Sequence, residues 1–178
     1  MTEFTPTWKQ PSHPASIQVV KGAPFQSSAR SLVALPAGAL FSKITTAVPT
    51  AHKTYTSVQS GIGTNIELCS DLVYCNHSCS PSLEFDMSRF EVRVARDRPL
   101  SVGDELTFFY PSTEWDMVQF FHCNCGSEKC LGIVCGCQGI AAVVRERYWL
   151  NEHIKELAAK QELSAMASNA QDEIEVSA

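Results

Sequence analysis

Residues 122–139 hold Cys123, Cys125, Cys130, Cys135 and Cys137, with Gly126, Gly132, Gly136 and Gly139 set between them. A stretch so poor in large apolar side chains cannot fold by burying surface, so it needs a staple. The N-terminus, Met1-Thr2-Glu3-Phe4-Thr5-Pro6, has neither a basic start nor an apolar run, so a secretory signal is not expected. Eight cysteines without such a signal point to metal or reactive thiols rather than to a disulfide framework. Structural zinc takes four thiolate or imidazole ligands in a tetrahedron. Cys123, Cys125 and Cys130 offer three at close spacing. The fourth must come from elsewhere, with Cys135 and Cys137 among the candidates. Cys69 and Cys75 read as small buried hydrophobes.

The rest of the chain reads as mainly β (α+β). Short runs of β-branched and aromatic residues, punctuated by proline and glycine, predict strands over 17–20, 31–35, 39–44, 54–59, 65–69, 90–94 and 105–110. Pro49 is read as closing the third of these. Residues 1–15, with Pro6, Pro11 and Pro14, read as a flexible, poorly ordered arm, and 16–115 as the main domain. Residues 116–138 form the cysteine segment. From Ile140 a helix is expected, with Val143, Val144, Tyr148, Leu150, Ile154 and Leu157 on one face, and a frayed acidic tail from 167 to 178.

Three stretches stand out together: Asn76-His77-Ser78-Cys79-Ser80-Pro81-Ser82, then Gly103-Asp104-Glu105-Leu106-Thr107-Phe108-Phe109-Tyr110, then Cys123-x-Cys125-x4-Cys130. In this order they resemble the SET-domain family of lysine methyltransferases with its post-SET zinc segment. The resemblance covers residues 16 to 134 and is strongest after residue 74. It implies a β-clip of short strands in which the first two stretches form a pseudoknot, with a post-SET zinc segment and a C-terminal helix. It further implies S-adenosylmethionine as methyl donor, held by Gly22, by Asn76 and His77, and by Leu131 near the adenine. Tyr110 matches the family's catalytic tyrosine. Phe108 matches a position where Tyr restricts the product to fewer methyl groups, so Phe implies di- or trimethylation. Cys79 is implied as the fourth zinc ligand beside Cys123, Cys125 and Cys130. Phe120, Phe121 and Trp115 flank this segment, where the family covers the donor or lines the lysine channel.

Some positions depart from the family. Lys21-Gly22-Ala23-Pro24-Phe25 stands where a Gly-x-Gly would, and proline removes an amide donor. Val73 replaces an arginine and Phe109 an acidic residue. The insert that shapes the substrate groove and a pre-SET zinc region are missing. The expected function is therefore an S-adenosylmethionine-dependent protein-lysine N-methyltransferase. A non-catalytic SET scaffold and a SET-derived enzyme acting on a small molecule are the alternatives. A net charge of −5 disfavours direct nucleic-acid binding and suits a lysine-bearing partner such as a histone or another basic protein. No apolar run approaches membrane-spanning length, so no membrane partner is expected, and the location expected is intracellular, nuclear or cytoplasmic.

Overall fold

The computed structural model describes residues 4–23 and 26–176, with side chains to residue 168. Its strands are short, because turn residues interrupt every apolar run. β1 (Ile17–Val20) pairs antiparallel with β2 (Ser28–Ser31). β4 (Val48–Thr50), β6 (Thr64–Glu67) and β5 (Ser57–Gly61) form a three-stranded sheet in that order. The central sheet is β3 (Leu40–Lys43), β9 (Glu91–Val94), β8 (Leu83–Asp86), β10 (Thr107–Phe108) and β7 (Asn76–His77), again in spatial order. β11 (Phe121–His122) and β12 (Ile133–Val134) form a hairpin in the cysteine segment. The mainly β class expected from the sequence holds, as does a C-terminal helix.

The central sheet positions the site. β7 and β8 are joined by residues 78–82, yet they do not pair. β10 lies between them, parallel to both, with Thr107 opposite Asn76 and Phe108 opposite His77 and Leu83. The two motif stretches are thereby threaded together, as the pseudoknot expectation requires. Beneath them lies a core built on Leu72, Leu83, Phe85, Met87, Val92 and Leu106, each at most 2% exposed. A smaller cluster of Phe109, Cys137, Ile140, Leu150 and Ile154 joins the C-terminal part to the sheet.

Several elements differ from the sequence expectation for visible reasons. β8 was not expected because Leu83, Glu84 and Phe85 are all buried, so no alternation marks it. Pro49 lies within β4 rather than ending a strand, which an edge strand tolerates because one side needs no N–H donor. The second strand ends at Ser31, whose hydroxyl bonds the Val33 carbonyl and turns the chain. The single helix expected from Ile140 is two: α1 (Ala142–Arg145) and α2 (Glu152–Val176). Asn151 interrupts it by spending its side chain on Phe85, Met87 and Ser112. α2 continues to Val176, past the point where fraying was expected.

The N-terminal arm is docked over its described part. Phe4 and Trp8 pack on the central core. The fully buried Asp71 carboxylate accepts Trp8 Nε1–H at 3.0 Å, Gln10 Nε2–H at 2.7 Å and the Ser12 amide at 2.7 Å. Burial alone would raise its pKa, but these donors hold it below the ordinary carboxylate range.

Candidate active site and metal centre

Sequence position separates the cysteines, and the threading of β10 brings them together. Cys79 follows β7, while Cys123, Cys125 and Cys130 lie around the β11–β12 hairpin. Their four sulfur atoms lie within 4.8 Å of one another, with Cys79 and Cys123 Sγ 4.0 Å apart. A tetrahedral zinc with Zn–S bonds of about 2.3 Å sets its sulfurs about 3.8 Å apart, so the cluster has the size and the chemistry of such a site. The Leu131 amide donates to Cys79 Sγ at 3.4 Å, the contact expected of a group that supports a thiolate. Cys135 and Cys137 stand apart: Cys137 is fully buried in the second core cluster, and Cys135 is exposed.

His77 links this cluster to Tyr110. The Tyr110 amide donates to His77 Nδ1 at 3.2 Å. The proton therefore sits on Nε2, which lies 3.3 Å from Cys79 Sγ. Burial pushes the imidazole down to about 4, so the ring is neutral. Phe109, Tyr110 and Phe121 surround it with ring centroids at 5.6, 5.3 and 5.7 Å. The family resemblance implied only that this residue helps hold the methyl donor. Its side chain has a task the sequence did not suggest, joining two parts of the site.

The Tyr110 hydroxyl donates to the Cys75 carbonyl at 3.3 Å. Burial, with smaller contributions from Cys75 and Glu114, pushes its pKa well above the ordinary tyrosine value, so it is neutral at any physiological pH. Phe108 lies beside it, centroid to centroid 4.7 Å, and stacks on Phe85 at 4.1 Å. These rings make an apolar floor with no hydroxyl of their own.

On the opposite side of β7 the Asn76 side-chain amide donates to the Ser27 carbonyl at 3.1 Å. This bond ties the backbone at Ser27 to β7. Gly22 is exposed, and a side chain there would collide with the Gln26 carbonyl at 2.5 Å. Pro24 and Phe25, which interrupt the glycine motif, lie outside the described residues. Leu131 is half-buried against the Phe109 cluster. Phe121 lies beside His77 and Tyr110, whereas Phe120 is exposed at 67%.

Residues that no motif announced complete the site. Tyr148 stacks face to face on Phe109, 3.7 Å between centroids, and its hydroxyl donates to the Cys79 carbonyl at 3.2 Å. Phe109 thus serves as a platform for the segment leading into α2.

No family model matches the sequence. Methyltransferase flvH of Aspergillus flavus is 70% identical over 179 residues, spanning 100% of both chains. The chain belongs to that methyltransferase family. Among solved structures, KRYPTONITE in complex with mCHH DNA, an H3(1–15) peptide and SAH overlaps 66% of this methyltransferase at 21% identity and a TM-score of 0.49. The methyltransferase spans only 29% of that chain. So distant an overlap adds nothing to the strand order described above.

Proposed function

We propose that this methyltransferase has the SET architecture, takes its methyl group from S-adenosylmethionine and transfers it to a lysine amine of a protein, with zinc on Cys79, Cys123, Cys125 and Cys130. The observation that carries the reading is the chain of contacts from Cys79 Sγ through the His77 ring to the Tyr110 amide, which ties the thiol cluster to the tyrosine. The donor supplies an electrophilic methyl on a sulfonium. The protein's task is alignment, exclusion of water and keeping the amine neutral. The neutral Tyr110 hydroxyl and the Cys75 carbonyl present oxygen atoms to an incoming amine without fixing it as an ammonium in an ion pair. Phe108, lying on Phe85, leaves the space around that amine apolar, which favours di- or trimethylation. Gly22, Asn76, His77 and Leu131 form the donor side, and the lack of a side chain at Gly22 permits its close approach to the Gln26 carbonyl. Zinc has a structural role here, holding residues 116–138 against β7.

The test is transfer from labelled S-adenosylmethionine to candidate basic proteins, with Tyr110→Phe as control. Signal well above the control is expected, and equal signals for the two would remove the reading. Calorimetry with S-adenosylhomocysteine checks donor binding separately, and no saturable binding would favour a non-catalytic scaffold.

A second reading, a small-molecule amine as acceptor, is favoured by one observation. β5 is an edge strand, and its Gln59 amide is already taken by the Glu114 carboxylate. A peptide adding as a further strand there would have to displace that bond. Retained donor binding with no labelled protein, and label recovered in a metabolite extract, would decide for it.

A further inference from the structure

Glu114 is a buried carboxylate that the chemistry above does not use, only 7% exposed. Its Oε1 accepts the Gln59 amide at 2.7 Å and the Thr113 hydroxyl at 3.3 Å, and Lys53 Nζ lies 3.0 Å from Oε2. Gln59 answers in kind, its Oε1 accepting the Trp115 amide at 3.0 Å. Lys53 also donates to the Asp116 carbonyl. Burying a carboxylate is costly unless it is fully partnered, and here two elements more than fifty residues away supply the partners. A buried ion pair is a poor way to gain stability, since an apolar replacement often serves as well. Its location suggests another use.

The segment it anchors is the one that carries Tyr110. The Tyr110 carbonyl accepts the amides of Thr113 and Glu114, each at 3.0 Å, and the Thr113 hydroxyl at 3.2 Å. That hydroxyl, sharing its one proton between these two acceptors, touches both the tyrosine and the Glu114 carboxylate. At its other end, the tyrosine's amide is held by His77. We propose that Glu114, fastened to β5 by Gln59 and to the segment before β5 by Lys53, is a positioning residue that fixes where the Tyr110 hydroxyl stands against the Cys75 carbonyl. This rests on the reading of Tyr110 as the catalytic residue. Misplacing a reacting group by about 1 Å can cost on the order of 100-fold in rate.

The experiment uses the full zinc-loaded chain and tritiated S-adenosylmethionine with core histones as acceptor. Wild type, Tyr110→Phe, Glu114→Ala, Glu114→Gln and Lys53→Met are compared. Glu114→Ala should lower kcat by roughly 10- to 100-fold while KM for the donor stays within about twofold. Glu114→Gln, which keeps an acceptor for Gln59, should fall in between, and Lys53→Met should move in the same direction. An active wild type with Glu114→Ala at full kcat overturns the inference alone. A wild type no better than Tyr110→Phe overturns the acceptor reading, and the decision then passes to a readout that needs no acceptor. The chain has 4 tyrosines, so a carbon label at tyrosine Cζ gives few resonances, and Tyr110→Phe identifies one of them. Glu114→Gln and Lys53→Met should shift or broaden that resonance at unchanged zinc content. A resonance that stays in place overturns the proposal.

Discussion

Asn151 offers the sharpest test of how the C-terminal part holds the site. The residue is 2% exposed and spends its whole side chain. Nδ2 donates to the Phe85 carbonyl at 2.9 Å and the Ser112 carbonyl at 2.8 Å, and Oδ1 accepts the Met87 amide at 2.8 Å. Ser112 keeps a second donor in Asn151→Ala, the backbone amide of residue 151 itself at 3.1 Å. Phe85 and Met87 lose this partner. An unsatisfied buried group costs about 1–3 kcal/mol, so with two such groups the variant should lose about 2–6 kcal/mol. Urea unfolding followed by circular dichroism, in zinc-saturated buffer at pH 7.5, measures it. Asn151→Asp tests the direction of the hydrogen bonds. It preserves the acceptor for Met87 but aims a carboxylate oxygen at two carbonyl oxygens. Repulsion and burial would raise its folded pKa above the unfolded value, so the penalty must grow as pH rises through and above that unfolded value. Relative to wild type at each pH, the deficit should be larger at pH 8 than at pH 5. A loss under about 1 kcal/mol for the alanine variant, or an aspartate variant that improves with rising pH, would refute the reasoning.

Three further outcomes are expected. The purified chain should carry one zinc bound by four thiolates, measured by metal analysis and X-ray absorption; Cys79→Ser should lose it and expose residues 116–138 to proteolysis, while Cys135→Ser should keep it. Phe108→Tyr should shift the product toward monomethylation by mass spectrometry, because a hydroxyl beside Tyr110 can hold a water where further methyl groups would fit. Burial lowers the pKa of His13, only partly offset by Asp71, so the unfolded chain takes up the proton first and stability falls as pH drops through about 6.5. His13→Gln should flatten that decline in a comparison of urea midpoints at pH 7.5 and 5.5.

The sequence was most legible where chemistry dictated residue type. Cys79, Cys123, Cys125 and Cys130 meet, and Asn76, His77 and Phe108 fall on paired strands, with Tyr110 in the 3-10 turn that follows β10. What stayed hidden was whatever depends on contacts between distant segments. β8 is buried on both faces and shows no alternation. Phe4 and Trp8 sit in a proline-bearing stretch that composition marks as loose, yet Asp71, some sixty residues on, holds it down. Asn151 looks like an ordinary polar residue on a helical pattern until its three partners are seen. Glu114 and Gln59 have no local signal at all, because each is explained only by the other.

The insertion of β10 between β7 and β8 sets an order of events during synthesis. A ribosome delivers β7 and β8 first, joined by residues 78–82, and they must wait with a gap between them. Only when Thr107 and Phe108 have emerged can the gap be filled, and Cys79 waits longer still, until Cys130 clears the exit tunnel. A nascent chain cut short before Thr107 carries an unfilled slot, and one cut short before Cys130 carries an incomplete set of thiols.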